Sequence, residues 1–333
     1  VNIEAPAELL RYLRASGRIG ADEVIRMTPL RGGVSNRVVL VERADGRAWV
    51  LKQALTRLRV ATEWFSDPAR IHREAAGLRC LARLVPGAVP DFLFEDHTTH
   101  VLAMSAVPQP HDNWKTLLLA GRLEEARVRQ FARLLARIHQ RSNALRDELA
   151  PCFADRRYFE SLRLEPYYGY TAGRLPPAAG FLRALISETR ACRLALVHGD
   201  YSPKNVLLHG QRLILLDHEV IHFGDPAFDP GFALTHLLAK AHHRAGQRQQ
   251  FARAALLFWQ EYRQHQPDMA DAALEARVLR HTLACLLARA AGRSPLEYLD
   301  EAARARQIAA TLPMLSRPPA TLAELTRRFC ERL

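Results

Sequence analysis

Residues 196–208 read LVHGDYSPKNVLL. A histidine (His198), a carboxylate (Asp200), a lysine (Lys204) and an amide (Asn205) crowd between two apolar, partly β-branched runs. The runs predict two short buried strands, and Gly199 and Pro203 predict a turn between them. A turn inside a core ordinarily carries small, self-satisfied polar groups. This one carries a potential general base and, five residues on, a potential metal ligand. A second carboxylate, Asp217, follows a further strand-like run in RLILLDHE, and upstream Lys52 lies in WVLKQ and Glu74 in IHREAAGL. The glycine turn RGGVSN, just before the run RVVLV, could bring backbone N–H groups close to phosphate oxygens. Taken singly, each has an ordinary reading. A glycine pair makes a hairpin, a strand lysine snorkels, and a helix glutamate is solvated.

In order along the chain the set matches one chemistry. Phosphoryl transfer needs little covalent help; it needs a carboxylate to orient and deprotonate the attacking hydroxyl, and Mg²⁺ to neutralise the phosphates. Asp200 can be the base, and Asn205 and Asp217 supply the hard oxygen donors that such a metal requires. Lys52 can pair the α and β phosphates while Glu74 holds the lysine.

HGDYSPKN, LLDHE, GDPAFDPGF and MSAVP resemble the aminoglycoside phosphotransferase and choline kinase superfamily, small-molecule kinases with a protein-kinase-like fold. The resemblance runs in order over nearly the whole chain and is most specific from 196 to 238. It implies ATP and Mg²⁺ as cofactors, Asp200 as base, Asn205 and Asp217 on the metal, and a Lys52–Glu74 ion pair. The backbone of Ser105, Ala106 and Val107 becomes the adenine-binding hinge, with Met104 just before it. Gly32, Gly33, Ser35 and Asn36 become the phosphate-covering turn, although fuller glycine spacing is missing there. Asp217-His218-Glu219 replaces the Asp-Phe-Gly of protein kinases, and Glu219 is either a second metal ligand or a surface acid. Lys204 either meets the transferring phosphate or is a solvated loop lysine. His198 is expected to hold the loop, and Asp229 to accept backbone N–H groups or cap the helix FALTHLLAKAH.

The elements that must position these residues predict an α+β, bilobal fold. After one short helix, DEVIRMTPL, RVVLVER and RAWVLKQ read as strands, with a hairpin turn at Ala44-Asp45-Gly46. DPARIHREAAGLRCLARLV reads as a helix with Asp67 as N-cap, and PDFLFED and HVLAMSAV as two more strands. Beyond the prolines at 108 and 110 the pattern is helical, apart from the quoted segment and its partner strand. Residues 1–107 are thus expected to form a nucleotide-binding lobe, and 108–333 a helical lobe with the catalytic loop and acceptor site.

Composition bounds the rest. The 333-residue chain is 48% hydrophobic and 25% charged, as ordinary globular proteins are. No run is long enough to span a bilayer, and the first residues do not read as a secretory signal. Five scattered cysteines fit reduced thiols, so a cytoplasmic protein is expected. The net charge of +12 comes mostly from arginines dispersed among acidic neighbours, which argues against a nucleic-acid footprint. From Phe232 to the end, 15 basic residues stand against 9 acidic ones. That favours a neutral or anionic sugar or metabolite as the small hydroxylated substrate over a polycationic antibiotic. Candidates to contact it are Trp114, Lys115, Tyr167, Tyr168, Tyr170, Arg289 and Arg293, each with an alternative as core or helix surface that is the favoured reading for the tyrosines. A protein acceptor is disfavoured because only nine residues separate Glu219 from Asp229, too few for a long activation segment. A non-catalytic binding module would have lost the base or a metal ligand, and both are present.

Overall fold

The computed structural model describes residues 1–30, 33–59, 63–266 and 271–333, so Gly32 lies outside the described residues. Packing divides the chain into two units, residues 1–109 with 217–219, and residues 110–216 with 220–333.

The first unit is an antiparallel sheet of β1 (Ile25–Pro29), β2 (Asn36–Arg43), β3 (Ala48–Ala54), β4 (Phe92–Asp96) and β5 (Val101–Ser105), with helices α1 (Pro6–Ala15) and α2 (Arg70–Leu84). The strand order is β1-β2-β3-β5-β4. The expected turn joins β2 to β3: Gly46 has φ 81° and donates its N–H to the Arg43 carbonyl at 3.1 Å. Val39, Val41, Leu51, Val101 and Ala103 of the sheet bury one face with Leu9 and Leu13 of α1. Side chains alternate along a strand, so Lys52 leaves by the other face, where Glu74 of α2 meets it. On α2 the buried residues Arg70, Glu74, Leu78 and Leu81 recur three and four apart, as an amphipathic helix requires. The N-cap expectation fails. Ala69 takes that position, and Asp67 instead accepts the Ala69 N–H at 2.9 Å in a local turn of the kind aspartate favours.

The second unit is mainly helical. Its helices are α3 (Trp114–Leu119), α4 (Glu125–Ala144), α5 (Arg146–Cys152), α6 (Arg157–Phe159), α7 (Tyr170–Arg174), α8 (Ala179–Ala191), α9 (Phe228–His243), α10 (Arg248–Gln264), α11 (Ala272–Ala291), α12 (Glu301–Thr311), α13 (Pro313–Ser316) and α14 (Leu322–Glu331). A π-helical stretch, Glu160–Gly169, joins α6 to α7. α9 is buried over nearly its whole length and packs on α10 and α11. A Cβ at Gly231 would lie 2.5 Å from the His281 Cβ, so only glycine allows α9 and α11 to approach so closely. The strands are β6 (Asp112–Asn113), β7 (Ala195–Val197), β8 (Val206–His209), β9 (Arg212–Leu215) and β10 (His222–Gly224). β7 pairs with β10, whereas β8 pairs with β9 and β6. The two apolar flanks of LVHGDYSPKNVLL are therefore strands of different small sheets, and the polar loop crosses from one to the other. The fold class is α+β.

Candidate active site

Leaving β7, the chain enters left-handed backbone at Gly199, φ 78°. A Cβ there would sit 2.8 Å from Val220 Cγ2 and 3.3 Å from the Phe159 ring, so both conformation and space demand glycine. Beneath it, fully buried Asp229 accepts the N–H groups of His198 at 2.7 Å and Gly199 at 2.8 Å. Burial pushes the Asp229 carboxyl up, but His139, His198 and these N–H groups outweigh it and hold the pKa below its ordinary value. Asp229 thus pins the loop as expected. His198 is buried too: Nδ1 accepts the Asp200 N–H at 3.1 Å, so Nε2 carries the proton and donates to the Leu216 carbonyl at 3.1 Å. It is a strut.

The loop then organises its polar groups around Asp200. Asn205 donates Nδ2 to Asp200 Oδ2 at 2.7 Å and to the Asp200 carbonyl at 3.0 Å, which makes Oδ1 its acceptor end. Arg163, from the π-helical stretch, reaches Asp200 Oδ2 with Nη2 at 2.9 Å and donates Nε to the Gly199 carbonyl at 2.9 Å. Lys204 is exposed on the same loop, and its carbonyl accepts Asn113 Nδ2 at 2.7 Å.

In the first unit, Lys52 Nζ lies 2.6 Å from Glu74 Oε1 and 3.1 Å from Asp217 Oδ1. Burial disfavours the lysine's charge, but Asp217 and Glu74 outweigh it, and the pKa of Lys52 is raised. Burial raises that of Glu74 against the pull of Lys52. The short contact is an ion pair, and Lys52 is the member whose charge the surroundings favour. Asp217 holds φ 69°, left-handed backbone that is strained outside glycine. Fully buried Arg70, one turn before Glu74, donates Nε to Glu219 Oε2 at 3.1 Å and Nη2 to the carbonyls of Ser35 and Leu55. Asn36 donates Nδ2 to the same Glu219 oxygen at 3.2 Å and to Ser35 Oγ at 3.1 Å. Of the glycine turn, then, Ser35 and Asn36 are buried and Gly33 is exposed. Ser105, Ala106 and Val107 are half-buried; Ser105 N–H bonds Asp91 and Ala106 N–H bonds Ala48, each at 2.9 Å to a carbonyl.

Glu74, Asp217 and Glu219 each bring one oxygen within 4.8 Å of the others. Glu74 Oε2 and Asn36 Oδ1 are buried with no hydrogen-bond partner among the described residues. Three carboxylates against the two cations Lys52 and Arg70 leave surplus negative charge. Hard oxygen donors with an orphaned carboxylate oxygen fit a magnesium ion.

Residues 26–267 match the sequence profile of the phosphotransferase enzyme family. The chain belongs to that family. Solved structures of related fold include a choline/ethanolamine kinase family protein from Mesorhizobium loti, at 16% identity and TM-score 0.59, covering 98% of each chain. Amicoumacin kinase hAmiN matches at 15% identity and TM-score 0.59, covering 96% of this chain and 98% of its own. An aminoglycoside-3'-phosphotransferase of type VIII matches at 19% identity and TM-score 0.52, covering 84% and 97%. At such identities the likeness shows the fold, the protein-kinase-like one expected from sequence. No curated protein sequence matches the chain. Among the described residues no helix is long and apolar enough to cross a membrane.

Within this phosphotransferase, two arginines at the site escape a reading of sequence. Arg163 and Arg70 each stand alone in a helical pattern, and an isolated helix arginine reads as solvated. Their only local signal is placement among apolar neighbours, in SLRLEP and PARIH. The candidate acceptor residues divide. Trp114 is buried edge-on against Phe131, and Tyr168 is buried with its hydroxyl on His281 and Cys285, so both are core. Arg293 pairs with Glu165 at 3.2 Å and covers the Tyr170 ring. Lys115 pairs with Glu297, and Arg289 meets Tyr167.

Proposed function

We propose that this family member transfers the γ-phosphate of ATP to a hydroxyl of a small molecule, with Mg²⁺. The observation that carries the reading is the grip on Asp200. Asn205 and Arg163 both bind Oδ2, which fixes the carboxylate and would leave Oδ1 for the acceptor hydroxyl. As the hydroxyl oxygen attacks the γ-phosphorus, Asp200 takes the proton and ADP departs with the electrons of the broken P–O bond. Asn205 Oδ1 and Asp217 are the residues that would hold the metal. Glu219 would join through the oxygen that Arg70 and Asn36 leave. Magnesium, when bound, neutralises the phosphate charge. Lys52, steadied by Glu74, would turn to the α and β phosphates. Gly32, Gly33, Ser35 and Asn36 would cover those phosphates, Lys204 would meet the transferring group, and the backbone of Ser105 to Val107 would hold adenine.

Residues 1–107 are read as the nucleotide-binding part and 108–333 as the acceptor part. Family membership supports a phosphotransferase, and amicoumacin kinase hAmiN was solved with AMP-PNP and Ca²⁺. The basic acceptor part supports a neutral or anionic sugar or metabolite, and free cysteines suit the cytoplasm. An ADP-release screen over hydroxylated metabolites tests the reading. Turnover should depend on an added acceptor and stop when Mg²⁺ is chelated; turnover that survives chelation would contradict it.

A further inference from the structure

In the second unit Arg163, Arg289 and Lys240 are buried, and of these only Arg163 meets a carboxylate among the described residues. Arg163, which grips Asp200, sets its guanidinium over the Tyr167 ring, 5.7 Å from the centroid. Arg289 of α11 covers the same ring at 5.5 Å and donates to the Tyr167 hydroxyl at 3.2 Å. Tyr167 stacks on Phe232, and Phe232 meets His236 edge-on at 4.9 Å. Lys240, one turn further along α9, has no exposed surface, and its hydrogen bond goes to the His236 carbonyl. Arg289 is nine-tenths buried; its other bonds go to the Ser294 carbonyl and hydroxyl, and its Nε has no partner among the described residues. Neither Arg289 nor Lys240 has a carboxylate partner among the described residues, whereas neighbouring Lys115 has Glu297.

A buried cation without an anion is unfavourable, and proteins respond by pairing it or discharging it. Burial, with Lys115 and Arg289 adding to it, brings Lys240 down to about 7, and burial with the surrounding cations holds His236 well below its ordinary pKa. Glu297 opposes the shift at Lys240 without cancelling it, so positive charge stays in excess around Lys240 and Arg289, and an incoming negative group would offset it. We propose that the phosphoryl acceptor carries a carboxylate or phosphate group, and that Arg289 and Lys240 receive it while Asp200 takes the hydroxyl proton. This rests on the kinase reading above and narrows its acceptor to an anionic hydroxy compound.

The test separates the two claims. Binding is measured by calorimetry on the full chain with gluconate, glycerol 3-phosphate and inorganic phosphate, against glucose as the uncharged probe. Arg289→Met and Lys240→Met should each weaken the anionic probes by about 10- to 100-fold, the range of a charged hydrogen bond, and leave glucose unchanged. Lys240→Met, which removes a buried cation with no carboxylate partner among the described residues, should not lower Tm, so its lost affinity is not lost folding; Arg289 also bonds Tyr167 and Ser294, and the lysine substitution is its control. Arg289→Lys, which keeps the charge, should retain most of the affinity even if Arg289→Met does not fold. Anions that bind no better than glucose, or equal binding by wild type and both Met variants, would overturn the subsite. ADP release judges the other claim. Transfer to glucose or kanamycin in preference to every anionic hydroxy compound sinks the subsite alone, and variant-sensitive anion binding without any ADP release sinks the kinase reading alone.

Discussion

Lys52 makes two ionic contacts at once, to Glu74 and to Asp217, so its loss should be felt through both. Lys52→Ala should raise KM for ATP or lower kcat, and Glu74→Ala should do so more mildly. Because the pair acts as a unit, the double variant should lie within about threefold of Lys52→Ala. Fully additive losses would mean the ion pair has no part in the reaction. Lys240 gives a prediction of opposite kind. It is held at about 7 against an ordinary 10.5, chiefly by burial, then by Lys115, with Glu297 opposing and Arg289 assisting. Between those values the unfolded chain binds a proton that the folded chain does not, so stability should rise with pH from 7 to 10.5. Lys240→Met should flatten that rise and raise Tm at pH 7; an unchanged pH slope would show that Lys240 is charged and paired. The candidate base and candidate metal ligands could be named from the sequence because their spacing lies within one short loop and one following strand. Arg70 and Arg163 were not, since burial of a single arginine depends on distant partners, here Glu219 and Asp200.

The element that matters most is the crossing from β7 to β8. It is held by Asp229 from the start of α9, by His198 against Leu216, and by Gly199 in left-handed backbone. Gly199→Ala would impose a strained φ and a 2.8 Å contact with Val220, so it should cost about 1–3 kcal/mol and lower kcat by displacing Asp200. Chemical denaturation of the variant checks this, and a midpoint equal to wild type would show that the loop relaxes freely. The sheet of the first unit was readable because alternation and Asp45-Gly46 are local signals. The pairing of β8 with β9 was expected from their adjacency in the sequence, whereas that of β7 with β10 was not, because it joins two short strands that only packing brings together. The start of α2 was misplaced for a related reason, since Asp67 satisfied a turn before the helix began.

At the scale of the molecule, the fold is shared by structures described as choline/ethanolamine, aminoglycoside and amicoumacin kinases, so it does not choose the acceptor. Charge does. A chain of +12 repels polycations, and kcat/KM on kanamycin should stay below about 10⁴ M⁻¹s⁻¹, the lower end for an evolved substrate; a higher value would overturn the charge argument. The family was readable from the loop and the anion subsite proposed above was not, because Arg289 and Lys240 lie far apart in the sequence and only packing shows their burial. The central claim is that Asp200 deprotonates the acceptor, and it is tested most directly by single-turnover phosphoryl transfer with Asp200→Asn. That change keeps size and both grips on the side chain while removing the base. The rate should fall by about 10²-fold or more with ATP affinity nearly unchanged. Transfer within a few-fold of wild type would contradict the account.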